Sequence, residues 1–278
     1  MKIERITKMK SVKLFKQSPT VMLVFTLLSF QTIANAETFA SVSHIHQLKV
    51  YKDKVLLGTH EGLFEFTGKN SMKRISSEDF DVMGLAVVGG KIIASGHPNS
   101  GSKLPAPIGL IQSTDLGKKW TLISLGGKVD FHLLEGFGKE IYGADSQSGN
   151  LMYSNNSGKS WVSLGSNVYS DLAVSPTSDG SVIALQGEAL VYSKNHFKSV
   201  EKIVIPKGVS QIEWTKNGIL ALSGSALYRS SNYGKTWTLL NKLPGEGGIL
   251  SANENLSLVT IGSAVYLSTN QGKTFKKS

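Results

Sequence analysis

One phrase recurs five times in this chain at intervals of 37 to 41 residues, and that period limits the fold more than any other feature. The copies are Ser113-Thr114-Asp115-Leu116-Gly117-Lys118-Lys119-Trp120, Ser154-Asn155-Asn156-Ser157-Gly158-Lys159-Ser160-Trp161, Ser193-Lys194-Asn195-His196-Phe197-Lys198-Ser199-Val200, Ser230-Ser231-Asn232-Tyr233-Gly234-Lys235-Thr236-Trp237 and Ser268-Thr269-Asn270-Gln271-Gly272-Lys273-Thr274-Phe275. Each reads Ser-x-Asp/Asn-x-Gly-x-Ser/Thr-aromatic, and the third is worn at the glycine and aromatic positions. A repeat near 40 residues with one such turn per unit predicts a stack of small sheets, not one folded core.

The segments between the turns say what each sheet contains. In the unit holding the fourth copy, Ser210–Trp214, Ile219–Ser223 and Ala226–Ser230 are separated by Lys216-Asn217-Gly218 and Gly224-Ser225, and Thr236–Leu240 starts on the last two residues of the phrase. These are four short strands bounded by Gly/Asn/Ser turns, with no helix-length periodic run between them. Four strands per repeat around an axis make a propeller blade. Val55–Phe66 has the same strand-turn-strand form without the phrase, so a first blade precedes the marked ones. The expected fold is an all-β, six-bladed β-propeller with blades at 43–76, 79–124, 128–165, 168–200, 208–241 and 246–278. Seven blades would need shorter units than the phrase spacing allows. The last blade supplies its own outer strand, so the ring is expected to close by packing.

Residues 1–36 fall outside that pattern. Lys2, Arg5, Lys8, Lys10, Lys13 and Lys16 precede an apolar run, Val21–Leu28, and Ala34-Asn35-Ala36 has the small-x-small form of a cleavage site. This predicts a signal peptide, export to a periplasm or the medium, and a single domain over 37–278. The run is too short for a permanent membrane anchor. The leader holds six of the 30 basic residues and one of the 20 acidic ones, so the remainder carries 24 against 19, about +5. Its lysines are scattered, without a basic stripe or aromatic platforms, and no nucleic-acid partner is expected. With no cysteine, stability must come from the core.

The phrase resembles the Asp-box, or bacterial neuraminidase repeat, of sialidase-like propellers, sortilin-type receptors and a photosystem assembly factor. An Asx side chain can bond backbone N–H groups in a tight turn, glycine permits positive φ, and the aromatic packs beneath. Only Asp115 among the five Asx positions is a carboxylate, so the boxes are expected to be turn staples and not metal sites. The early blades also resemble bacterial exported proteins named as glycosyl hydrolases of the sialidase-like superfamily, through His44-Ile45-His46, Gly58–Phe64, Met83–Ala86, Ser95–Pro98 and Val129–Leu134. The resemblance implies hydrolysis. Sialidase chemistry, however, needs three arginines to clamp a carboxylate, and residues 37–278 contain only Arg74 and Arg229.

Strand direction locates a different feature. If the boxes join the third and fourth strands, the other two kinds of connection emerge on the opposite face. His44, His46, His60, His97 and His132 all fall there, with Glu61, Asp79, Asp81, Asp130 and Asp145, while His196 sits in the worn box. Neutral imidazoles with carboxylates can hold a divalent transition metal, an anion or a sugar. The expected ligand-binding set is His44, His46, His60, Glu61, His97, Asp130 and His132, with His46, His60, His97 and His132 as the metal ligands. The segment 97–108 is a long insertion on this face and a candidate rim. The function expected is a monomeric binding scaffold for a small ligand, metal, glycan or protein partner. The alternative is a glycosyl hydrolase, not a sialidase, using Asp79, Asp81, Asp130 or Asp145 as acid and base.

Overall fold

The computed structural model describes residues 37–39, 41–42 and 44–278. The signal peptide read from residues 1–36 lies outside them. Among the described residues there is no helix, and so none long and apolar enough to cross a membrane.

Six antiparallel sheets follow one another along the chain, each built of consecutive strands. The third is typical: Phe131–Phe137, Glu140–Asp145, Asn150–Ser154 and Val162–Ser166 pair in chain order from the axis outward. The fold is a six-bladed β-propeller with four-stranded blades.

The outer strands of blades three and five run one residue past the expected ends, to Ser166 and Lys242, and two further boundaries differ more. The outer strand of the fourth blade is Glu201–Ile203, past the expected end at 200. The worn box still makes its full turn there, so the strand starts only after Val200. The first blade gains a fifth strand, since Glu37 and Thr38 pair with Met72 and Ser71 at its rim.

The core lies between blades. Six apolar clusters form, each shared by two neighbouring sheets. Second strands feed both sides: in Lys54–Thr59, Leu56 enters the cluster shared with blade two, while Val55 and Leu57 enter the one shared with blade six. Alternation by two therefore sends successive side chains into different cores, and both faces must be apolar. The last-to-first cluster joins Leu258 and Val265 to Leu48, Leu57 and Phe64. The Val50 N–H donates to Ser251 Oγ (3.1 Å) and Asn253 Nδ2 to the Lys52 carbonyl (2.8 Å) across the same seam. The ring closes by packing, without strand exchange.

The box repeats atom for atom. In the second copy the Gly158 N–H donates to Ser154 Oγ (2.9 Å) and the Ser160 N–H to Asn156 Oδ1 (3.0 Å). The worn third copy keeps both bonds, from Phe197 to Ser193 Oγ (2.9 Å) and from Ser199 to Asn195 Oδ1 (2.9 Å). All five boxes join third to fourth strands, so the histidine-bearing connections emerge on the other face.

Candidate functional site

The innermost strands of the first three blades carry a β-bulge at the end opposite the boxes. The register shifts between Ile45 and Gln47, Val82 and Gly84, and Phe131 and Leu133, so the extra residues are His46, Met83 and His132. A bulge turns its extra side chain out of the regular alternation. Here it aims two imidazoles at the channel mouth.

Those imidazoles join the turn histidines around two aspartates, each set drawn from two adjacent blades. In the first set, His46 Nε2 lies 3.0 Å from Asp81 Oδ1, and His60 Nδ1 lies 2.8 Å from Asp81 Oδ2. In the second, His97 Nε2 and His132 Nε2 lie 3.0 and 2.8 Å from the same oxygen, Asp130 Oδ2. Within each set the three donor atoms sit inside 4.8 Å of one another. The aspartates are buried, at 6% and 1% exposure, while His60, His97 and His132 stay open to solvent.

Two aspects of this geometry are chemically unfinished. The His46–Asp81 approach is short but poorly aligned, leaving His46 Nε2 and Asp81 Oδ1 buried without a hydrogen-bond partner. Asp130 Oδ1 is likewise buried and unpaired. Buried carboxylate oxygens left unsatisfied are costly and call for an explanation.

Asp130 is held from several sides. Ser146 Oγ donates to its Oδ2 (2.7 Å), and its own N–H donates to Asp145 Oδ1 (2.9 Å). Burial acts to raise its pKa, but hydrogen bonds from His132 and Ser146 outweigh it and keep the carboxyl below its ordinary range. The bond to Asp130 in turn raises His132, with smaller help from the charges of Asp81 and Asp145. Asp145 is lowered despite burial, by Ser148 and three backbone N–H groups. It positions the Asp130 loop and joins neither donor set.

Asp79 also stays apart, bonded by Arg74 Nη2 (3.2 Å) and Asn99 Nδ2 (3.0 Å). Asn99 donates as well to the His60 carbonyl (3.0 Å), so the 97–108 insertion ties down the His60 turn. Glu61 follows His60 in that turn but is in neither set. His44 stands beside the first set, its ring centroid 6.4 Å from those of His46 and His60. The two sets meet through blade two, where Asp81 pairs with His97 across the strands. Gly96 makes that approach: its φ is +147°, and a Cβ there would lie 1.9 Å from the Asp81 carbonyl oxygen.

Below the mouth the channel holds a cluster absent from the sequence-level expectation. Lys49, Glu135 and Glu213 occupy equivalent positions on the innermost strands of blades one, three and five, opposite Leu56, Tyr142 and Leu220. Lys49 Nζ bonds Glu135 and lies 3.7 Å from Glu213, bridging the channel. Asp171, from blade four, accepts the Ile212 N–H (2.8 Å) and lines the same cavity with His46 and His132. Burial pushes Asp171 up to about 7 and Glu213 up to about 8, the latter against the attraction of Lys49.

No protein-family model and no curated protein matches the chain. Solved structures do. YCF48 bound to D1 peptide is similar over 87% of this chain and 83% of its own, at 17% identity and a TM-score of 0.55. A GH74 enzyme from Niastella koreensis is similar over 85% of this chain and 38% of its own, at 14% identity and a TM-score of 0.56. These are likenesses of fold, and both neighbours are β-propellers. The class they share with this chain is that of the β-propeller fold.

Proposed function

We propose that this protein is an exported Asp-box propeller of the sialidase-like type that works as a binding scaffold, holding divalent transition-metal ions on the histidine face. The ligand sets are His46, His60 and Asp81, and His97, Asp130 and His132. The observation that carries the reading is their construction. Each set brings two imidazoles and one buried aspartate into mutual reach from two adjacent blades, with Asp81 Oδ1 and Asp130 Oδ1 unsatisfied. Two nitrogens and one oxygen suit zinc, iron, nickel or copper better than calcium or magnesium. The test is elemental analysis of untagged protein and of the triple variant His46→Ala/His60→Ala/His132→Ala. Metal retained by the wild type and lost from the variant supports the reading, and two metal-free proteins after exposure to these ions reject it. Export through residues 1–36 belongs to the same proposal and is checked by the N-terminus of protein recovered from the culture medium or periplasm.

A second reading, glycoside hydrolysis, rests on the channel and not on Asp79, Asp81, Asp130 or Asp145. Asp79, Asp130 and Asp145 are held below their ordinary range, which unsuits them to donate a proton. Asp171 and Glu213, pushed up by burial, are the carboxyls with acid character at neutral pH. Release of reducing ends from a glycan panel by the wild type, abolished in Glu213→Gln, would establish it.

A further inference from the structure

The two donor sets are built to different degrees of closure, and the difference turns on His44. Its imidazole, with those of His46 and His60, forms a triangle whose ring centroids are 6.4 Å apart on every side. A metal held at ~2 Å from each ring nitrogen places such centroids about 5–6 Å apart. The triangle is therefore about an ångström wider than a three-imidazole site, and the His44 ring, outside the 4.8 Å set of His46, His60 and Asp81, must turn inward to join it. His44 is exposed, His60 is held on Asp81 Oδ2 (2.8 Å), and Asp81 beneath is 6% exposed with Oδ1 unsatisfied. His44 also holds φ at +49°, an uncommon state for a residue with a side chain. Its carbonyl accepts the His60 N–H (3.3 Å), which fixes the two residues side by side.

The second set has no such neighbour. The position equivalent to His44 in blade three is Asp130 itself, and the one equivalent to His60 is Ser146, whose hydroxyl is spent on Asp130. Asp130 receives His97, His132 and Ser146 on one oxygen, and the two imidazoles meet edge to face with centroids 6.2 Å apart. No third imidazole is in reach.

Resting on the metal reading above, we infer that His44 is a fourth ligand, so that the first site closes as His44–His46–His60–Asp81 and holds its ion tightly. The second stays a three-ligand site whose ion keeps a position for an exchangeable donor from solvent, a water or a small anion. Four protein ligands are the pattern of structural sites and three plus an open position that of reactive ones.

The experiment is a Co²⁺ titration of the untagged wild-type protein and of the variants His44→Asn, His44→Ala and His132→Ala. It is followed by the visible absorption of bound Co²⁺ and by equilibrium dialysis. Asparagine tolerates positive φ, so His44→Asn removes the imidazole without straining the turn. The wild type is expected to bind two ions in two phases, with the tighter spectrum indifferent to azide and the weaker one shifted by it. Both His44 variants should weaken the tighter phase about tenfold or more and make it azide-sensitive, and His132→Ala should abolish the weaker phase alone. Two bound ions whose affinities and azide responses do not change in either His44 variant would overturn the role of His44 and leave the metal reading standing. No Co²⁺ bound by the wild type would overturn both.

Discussion

The box turn is stable because two side-chain oxygens and two left-handed residues satisfy a short loop completely. Ser154 and Asn156 take up its N–H groups, and Ser157 and Gly158 supply φ of 61° and 81°. In the worn copy His196 and Phe197 adopt 58° and 60°, so the serine and the Asx bonds suffice to impose the conformation without glycine. What glycine adds is room. A Cβ on Gly158 would lie 2.1 Å from Leu110 Cδ2, in a fully buried cluster. Gly158→Ala is therefore expected to cost about 2–3 kcal/mol in urea unfolding, combining backbone strain and overpacking. The Asx bond to the turn was legible in the sequence, since that chemistry is local, but the serine's bond and the contact with Leu110 were not. Nor was the pairing of histidines. Sequence placed five of them on one face, but which two share an aspartate depends on bulges at His46 and His132 and on the approach of neighbouring blades.

Between strands and blades, the box tryptophans act as pins as well as packing. Trp161 packs at a tilt against Phe131 (4.8 Å between centroids), and its Nε1 donates to Ser124 Oγ of the preceding blade (3.1 Å) and to the Gly158 carbonyl (3.0 Å). Trp237 is built alike, yet its Nε1 is buried with no hydrogen-bond partner. Trp161→Phe should cost about 1–2 kcal/mol, while Trp237→Phe should be neutral or stabilising, because only the first removes a made bond. Equal losses in thermal unfolding would refute the distinction. The channel cluster belongs to this level and was illegible. Lys49, Glu135 and Glu213 look in sequence like ordinary solvent-facing positions of alternating strands, and only the closing of the ring turns that face inward. Its charges give a pH signature. Asp171 and Glu213 bind protons more tightly folded (about 7 and about 8) than unfolded, so their contribution is full below the ordinary carboxylate range. It is lost as pH rises to about 8, because the unfolded chain gives up those protons first. Urea midpoints should fall between pH 5 and 8, and Glu213→Gln, facing Lys49, Glu135 and Asp171, should flatten that fall.

The ring as a unit depends on a seam that no strand crosses. Leu258 sits in the last-to-first cluster and Leu185 in the cluster between blades four and five, both buried. If packing closes the ring fully, Leu258→Ala and Leu185→Ala should each cost about 2–5 kcal/mol, with one cooperative transition in both. A seam variant that unfolded in two steps would mean that the ring is open there. Blade number and closure were legible because the repeat period and the final outer strand lie in the sequence. The fifth strand at the first blade was not, since a two-residue pairing such as Glu37–Thr38 with Ser71 and Met72 carries no pattern of its own.

The proposed metal-holding role of the histidine face is tested most directly by anomalous diffraction from crystals of untagged protein soaked in Zn²⁺, recorded on both sides of the zinc edge. Two peaks are expected, one touching His46, His60 and Asp81 and the other touching His97, Asp130 and His132. A map with no peak at either aspartate, or with zinc only at exposed lattice positions, would contradict the account.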